Sequence, residues 1–409
     1  MTRSLAGIPV NKLVSAALIA VATSSLLLGY ELIRSPSQSL YIEAYGAARL
    51  PIVMALGPLG TILAIWGYGH LLSAAGAKRA TIICSLGSAL LMLACYAMIR
   101  RGNHPATAVL YVIREAYIVL LVEQVWAFIN STLCTQEGRK LNGPICGIAS
   151  LGAIAGGFLV KAYAQRIGTD HLLLLCAASL VPTGLLTAAA YHFGGEPQPT
   201  AEELGGRQGH MGGRLLARTP LLRNLAALII ATQVVATVFD LQLSRLVEVA
   251  LPLRDERTAW FGSLYAWLNV GAAFFQFVGA PLLLRYAPLR PIHLGIPVVH
   301  AALALAAVFH PSLAIAAAAY MAFKVLDYSV FRAAKELLYV PLSFDARYRA
   351  KELIDAFGYR FAKGAASGLL ALAGRFGTIP VVALPATALV ALLAWGGLVV
   401  PLTRRRDEQ

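Results

Sequence analysis

The sequence predicts an all-α integral membrane protein with 12 transmembrane helices, arranged as a pseudo-symmetric 6+6 bundle. Three observations carry this expectation. The 409-residue chain is 58% hydrophobic and only 13% charged, against about 25% charged in an ordinary soluble domain. Apolar runs recur from end to end, each of about 20 residues, the length a bilayer-spanning helix needs. One long polar stretch, residues 192–223, divides these runs into two sets of six. With a mean hydropathy of +0.69, a soluble enzyme, a disordered chain and a single-anchor protein are excluded.

Taken in order, the apolar segments are 13–33, 50–74, 80–99, 106–128, 143–165 and 171–191, then 224–244, 259–284, 292–309, 312–331, 353–374 and 378–402. Backbone groups in lipid must be satisfied within their own segment, so helices are the economical reading. Barrel strands would be about ten residues long. Segment 1 follows Arg3 and Lys12 but is too long for a signal peptide. Gly29-Tyr30-Glu31 is no small-residue cleavage site, so an uncleaved first helix is expected. The domain reading is a six-helix half over 1–191, a cytoplasmic linker over 192–223 and a second half over 224–409, as in many transporters.

Lys and Arg set the orientation. With both termini cytoplasmic, the inner pieces hold twenty of these residues and the outer pieces nine. The outer set includes Arg34, Arg49, Arg245, Arg254, Arg257 and Arg375. The net charge of +14 is then largely a record of topology and of contact with anionic lipid, and nucleic acid is not an expected partner. The five cysteines, Cys84, Cys95, Cys134, Cys146 and Cys176, are odd in number and lack ligand spacing. They read as small apolar side chains.

Ionisable residues within lipid are costly and mark function by default. The acids are Glu31, Glu115, Glu123, Asp240, Asp327 and Asp355, and the bases are Arg114, Lys161, Lys324, Arg360 and Lys363. They fall only in segments 1, 4, 5, 7, 10 and 11, which correspond pairwise between the halves. Lys324 and Asp327 are spaced i, i+3 and can pair on one face, as a structural ion pair or as a gate. Arg360 and Lys363 share a face as like charges and need compensation by Asp355, Glu115, Glu123 or a substrate. Glu31 lies near the end of its segment and could reach the interface. Arg114 and Glu115 are adjacent and are expected to point in different directions. Asp240 has no base before it on its own segment, and Lys161 can extend its stem to the interface. The segment 5 glycines, Gly143, Gly147, Gly152, Gly156 and Gly157, read as close helix packing. His70, His171, His293 and His300 lack metal-ligand spacing, and no metal or cofactor is expected.

The densest polar chemistry is 328–363, where Arg332, Lys335, Arg347, Arg349 and Lys351 gather. The break Tyr339-Val340-Pro341-Leu342 stops the tenth helix, placing Lys335 in its last turn. A lysine there can attract an anion as a point charge.

The run Lys335-Glu336-Leu337-Leu338-Tyr339-Val340-Pro341-Leu342, followed by Lys351, Asp355 and Gly364, resembles the ATP/ADP translocase family of nucleotide transporters. Glu137-Gly138-Arg139-Lys140 and the run Arg218 to Ala226 strengthen the resemblance. It implies a major-facilitator-like fold whose segments 1, 4, 7 and 10 line the path. It also implies substrate roles for Lys335, for Asp240 in place of the family's usual Glu, and for Glu115 at a one-residue offset. Tyr45 stands where the family has a lysine before Leu50-Pro51, and Ser343 where it has an acid. The resemblance is therefore to a diverged bacterial member.

The functional expectation is a secondary active transporter of the bacterial inner membrane, working as a monomer by alternating access, with exchange as the mode the family implies. It would move a nucleotide or other anionic small molecule. The alternative is proton-coupled movement of a non-nucleotide, such as an amphiphile, a drug or a small metabolite. A non-transporting assembly factor is a further alternative. No constellation for catalysis is visible, so an enzyme is not expected.

Overall fold

The computed structural model describes residues 4–5, 8–196, 219–339, 354, 358–380 and 382–403. Strands β1 (Ser4–Leu5) and β2 (Ile8–Pro9) form a small antiparallel ladder. Then come helices α1 (Val10–Tyr45), α2 (Leu50–Arg100), α3 (Pro105–Thr132), α4 (Thr135–Ile167) and α5 (Leu172–Gly194). Beyond the polar stretch lie α6 (Pro220–Ala250), α7 (Arg254–Phe274), α8 (Ala280–Tyr286) and α9 (Leu289–Phe309). The chain closes with α10 (Leu313–Leu326), α11 (Arg332–Tyr339), α12 (Tyr359–Phe376) and α13 (Ala383–Thr403). A π-helical turn, Phe275–Gly279, joins α7 to α8, and another, Asp327–Phe331, joins α10 to α11. Ten stretches among the described residues are long and apolar enough to cross a bilayer.

Each of the twelve apolar segments overlaps a helix among the described residues. Segments 2 and 3 share α2, which breaks at Gly76 (φ 76°, ψ 168°), a conformation only glycine adopts freely. The Glu196 carboxylate accepts the Lys78 N–H at 2.9 Å, satisfying a donor that the new helical start leaves orphaned. The start of segment 11 and the break beyond Tyr339 lie outside the described residues, as does 197–218 of the central polar stretch.

Segment 1 departs most from expectation. Its helix runs to Tyr45, not to residue 33, and Arg34 lies within it, buried, rather than in an outer piece. The polar run Arg34-Ser35-Pro36-Ser37-Gln38-Ser39 ends the hydropathy signal. The helix nevertheless continues, because other helices bury that run. Ser35, Ser37 and Ser39 are fully buried, and carbonyls on either side of Pro36 accept side-chain donors. Arg114 donates to the Arg34 carbonyl (3.1 Å) and Arg257 to that of Ser39 (3.4 Å). These bonds tie the polar run of α1 to α3 and α7.

The chain forms two compact units. The first takes the described residues within 1–44, 57–207 and 253–269. Its core includes Leu26, Ile33, Leu110, Tyr117, Cys176 and Leu180. A second cluster, with Ile19, Phe128 and Tyr191, lies toward the other end of α1. The glycines of α4 serve packing here. A Cβ on Gly156 would lie 2.6 Å from the Leu28 carbonyl oxygen, and one on Gly157 2.8 Å from the Ala266 backbone nitrogen. Such backbone proximity needs small residues at the contact. Gly143 faces open space and does not share this role.

The second unit takes the described residues within 45–56, 208–252 and 270–409. Helix α6 packs on α10, α12 and α13, and α9 on α13. Trp395 is fully buried among Phe323, Phe331 and His300. All five cysteines are free, and Cys95 and Cys176 are buried. Cys134 is exposed where α4 begins, unlike the apolar interior expected of it.

Candidate functional site

In the first unit, α1, α3 and α7 bring a polar cluster together inside spanning helices. Glu31 is 2% exposed and its Oε1 accepts from Arg34 Nη1 (3.2 Å) and Asn269 Nδ2 (3.0 Å). Glu31 therefore sits in the interior of a long helix, not near a helix end. The Arg34 guanidinium lies 3.7 Å from the Tyr265 ring centroid, a cation–π contact that compensates part of its desolvation. Arg114, 3% exposed, donates through Nη1 to the Arg34 carbonyl and to Ser37 Oγ (3.0 Å). Its Nη2 meets Glu115 Oε1 at 2.7 Å. The expectation that Arg114 and Glu115 point apart is corrected: the guanidinium folds back onto its neighbour, because burial leaves it no water. Its carbon also lies 3.8 Å from the Tyr111 ring centroid. Two atoms of the cluster stay unsatisfied among the described residues, Glu31 Oε2 and Arg114 Nε. Unpaired polar atoms buried at such a depth are costly.

Glu123 and Lys161 are exposed at the helix surface and do not join this cluster. An ionic network ties three segments at one end of the unit. Arg254 reaches Glu43 (3.1 Å), Asp170 (3.4 Å) and Asp255 (3.3 Å). Asp255 in turn accepts from the Thr169 hydroxyl and N–H at 2.6 and 2.9 Å.

In the second unit, Asp240 is half-buried on α6. Lys324 lies among the rings of Tyr320, Phe323 and Tyr328, at 5.3–5.9 Å from their centroids. Among the described residues no ion pair within 4.0 Å joins it to Asp327, contrary to the pairing expected from i, i+3 spacing. The backbone from Lys324 to Asp327 is α-helical, and Lys324 instead lies among the Tyr320, Phe323 and Tyr328 rings. Asp327 is buried, and its Oδ1 has no hydrogen-bond partner among the described residues. Lys335 is 3% exposed, 4.0 Å from Glu336 and beside the Tyr339 and Tyr359 rings. Arg360 and Lys363 are half-buried on α12, and Asp355 lies outside the described residues.

Sequence reasoning missed Arg34, Ser37, Tyr265 and Asn269. One signal was legible for Arg34. Glu31 and Arg34 are spaced i, i+3, the same rule applied to Lys324 and Asp327. Asn269 and Tyr265 carried none, since only the tertiary fold brings α7 to α1. No group of three or more His, Cys, Asp or Glu able to hold a metal occurs among the described residues.

The fold and the buried charges define a multi-pass, all-α membrane protein of major-facilitator-like architecture. Solved structures with this fold include a mutant form of the nucleoside transporter NupG. It aligns at a TM-score of 0.66 over 94% of this chain and 99% of its own, with 11% identity. A POT family transporter in complex with a thioalcohol-conjugated peptide gives a TM-score of 0.61 over 100% and 98%, with 10% identity. The xylose transporter XylE from E. coli gives 0.57 over 93% and 95%, with 14% identity. No family model and no curated protein matches the chain.

Proposed function

We propose that the chain is a secondary active transporter that moves a nucleotide or another anionic metabolite by alternating access between six-helix halves, 1–191 and 224–409. The observation that carries this reading is the burial of Arg34, Arg114 and Lys335 at 3–7% exposure within spanning helices. Cations are retained at such depth where a path or a ligand uses them. The resemblance of Lys335 to Leu342 to the ATP/ADP translocase pattern supports a phosphate-bearing cargo. Glu31, Glu115, Asp240 and Asp327 would be partners or gates for these cations.

Uptake of labelled ATP, ADP and other phosphorylated metabolites into proteoliposomes tests the reading. Counter-substrate-dependent uptake that is lost in Lys335→Gln supports it. If no phosphate-bearing compound moves, with or without counter-substrate, the reading fails. A second reading, proton-coupled transport of a non-nucleotide, is favoured by the unpartnered carboxylate oxygens of Glu31 and Asp327. An acid so placed is suited to hold and release a proton. Uptake driven by a pH gradient and abolished by Asp327→Asn or Asp240→Asn would favour it.

A further inference from the structure

A cleft of about 1020 Å³ in the second unit lies among the start of α2, the end of α6 and the end of α12. Its lining divides by chemistry. Arg49, Arg245 and Arg375 face it together with one acid, Glu248. Elsewhere the wall is apolar, with Ile52, Leu56, Ala371 and Leu372. Glu248 accepts the Ala47 N–H through Oε2 at 3.1 Å and offsets one of the three positive charges, which leaves a net positive lining. Arg245 donates from Nη1 to the Ile379 carbonyl (3.0 Å), while its Nε is shut from solvent without a hydrogen-bond partner among the described residues. All three arginines stand at helix ends, where a membrane protein meets the headgroup layer, and the apolar wall runs along the helices into the acyl region. Ile52, Leu56 and Leu372 are 45–50% exposed, so no described residue covers this wall.

We propose that this cleft binds one anionic phospholipid, its phosphate between Arg245, Arg49 and Arg375 and an acyl chain along Ile52, Leu56 and Leu372. The charge balance selects an anion, and the adjoining apolar wall selects an amphiphile over a soluble phosphate. The site is independent of the transported cargo.

Native mass spectrometry of the delipidated full chain in neutral detergent, offered equal phosphatidylglycerol and phosphatidylcholine, tests the proposal. One phosphatidylglycerol should be retained in preference. Arg245→Gln and Arg375→Gln should each weaken it about fivefold, the contribution of one basic residue near an anionic surface. Ala371→Trp, which fills the apolar wall and leaves the charges, should weaken it as well. Arg245→Lys should keep most of the binding, and it guards against a folding defect in Arg245→Gln. Glycerophosphoglycerol, the headgroup without chains, should not compete. Equal retention of both lipids overturns the proposal. So does phosphatidylglycerol binding unchanged both in Ala371→Trp and when Arg49, Arg245 and Arg375 are all replaced by Gln. Full competition by the headgroup alone overturns the lipid in favour of a soluble phosphate ligand.

Discussion

Replacing Arg114 by Leu removes one guanidinium that holds α3 to α1. The side chain makes three hydrogen bonds, to the Arg34 carbonyl (3.1 Å), Ser37 Oγ (3.0 Å) and Glu115 Oε1 (2.7 Å). Breaking a buried charge pair by removing one partner costs about 3–5 kcal/mol. The lower end applies, because the Glu115 side chain keeps 28% of its exposure and stays partly hydrated when left alone. Relief of the arginine's own desolvation also offsets the lost bonds. A destabilisation of about 3 kcal/mol is expected, measured by unfolding of the detergent-solubilised protein. The double-mutant cycle with Glu115→Leu isolates the pair. Its coupling energy should be about 1–3 kcal/mol. Additivity of the two single variants, within about 0.3 kcal/mol, would show that Arg114 and Glu115 are not coupled on α3 and would refute the assignment of that pair.

Three further expectations follow from the same geometry. Gly157→Ala places a Cβ within 2.9 Å of Ala266 backbone atoms and should destabilise by about 1–3 kcal/mol. Gly143→Ala, which meets nothing within 4 Å, should be neutral or stabilising, and thermal melts of the pair decide. His300 is fully buried with both ring nitrogens unpartnered among the described residues. His300→Phe should therefore be neutral or stabilise by about 1 kcal/mol, and a marked loss of stability would show that the imidazole is hydrogen-bonded. Glu137 takes two hydrogen bonds from Lys12, at 2.7 and 3.0 Å, which hold its carboxyl below the usual range. Because the folded value lies below the unfolded one, the contribution is present above the unfolded carboxylate pKa and is lost as pH falls through the folded value. Unfolding midpoints measured from neutral to acid pH should show this loss, and Glu137→Gln should flatten it.

The helical class, the twelve apolar segments and the break near Gly76 were legible because length and hydropathy report directly on a bilayer. The extent of α1 was not. Pro36 and its polar neighbours look like a loop, yet they are helical and buried, with Arg114 and Arg257 donating to their carbonyls. The site was half legible. Glu31 and Arg114 stood out as charges in apolar runs, yet their partners did not. The Arg34 carbonyl and Asn269 become partners through tertiary approach, which spacing along one chain cannot report. Lys324 and Asp327 have the helical spacing the rule requires, but Lys324 lies among three aromatic rings, which spacing does not report.

The π turn Asp327–Phe331 fixes an angular phase. Lys324 and Lys335 are eleven residues apart, which in an uninterrupted α-helix returns to within about 20° of the same face. One residue inserted by a π bulge turns everything beyond it by about 100°. Lys324 accordingly lies among rings at a half-exposed surface, while Lys335 is turned to a buried one. The turn packs against the second π turn, Phe275–Gly279, of the neighbouring span. Deleting a single residue within 327–331 would rotate Lys335 away from its buried position while leaving every charge beyond that turn unchanged.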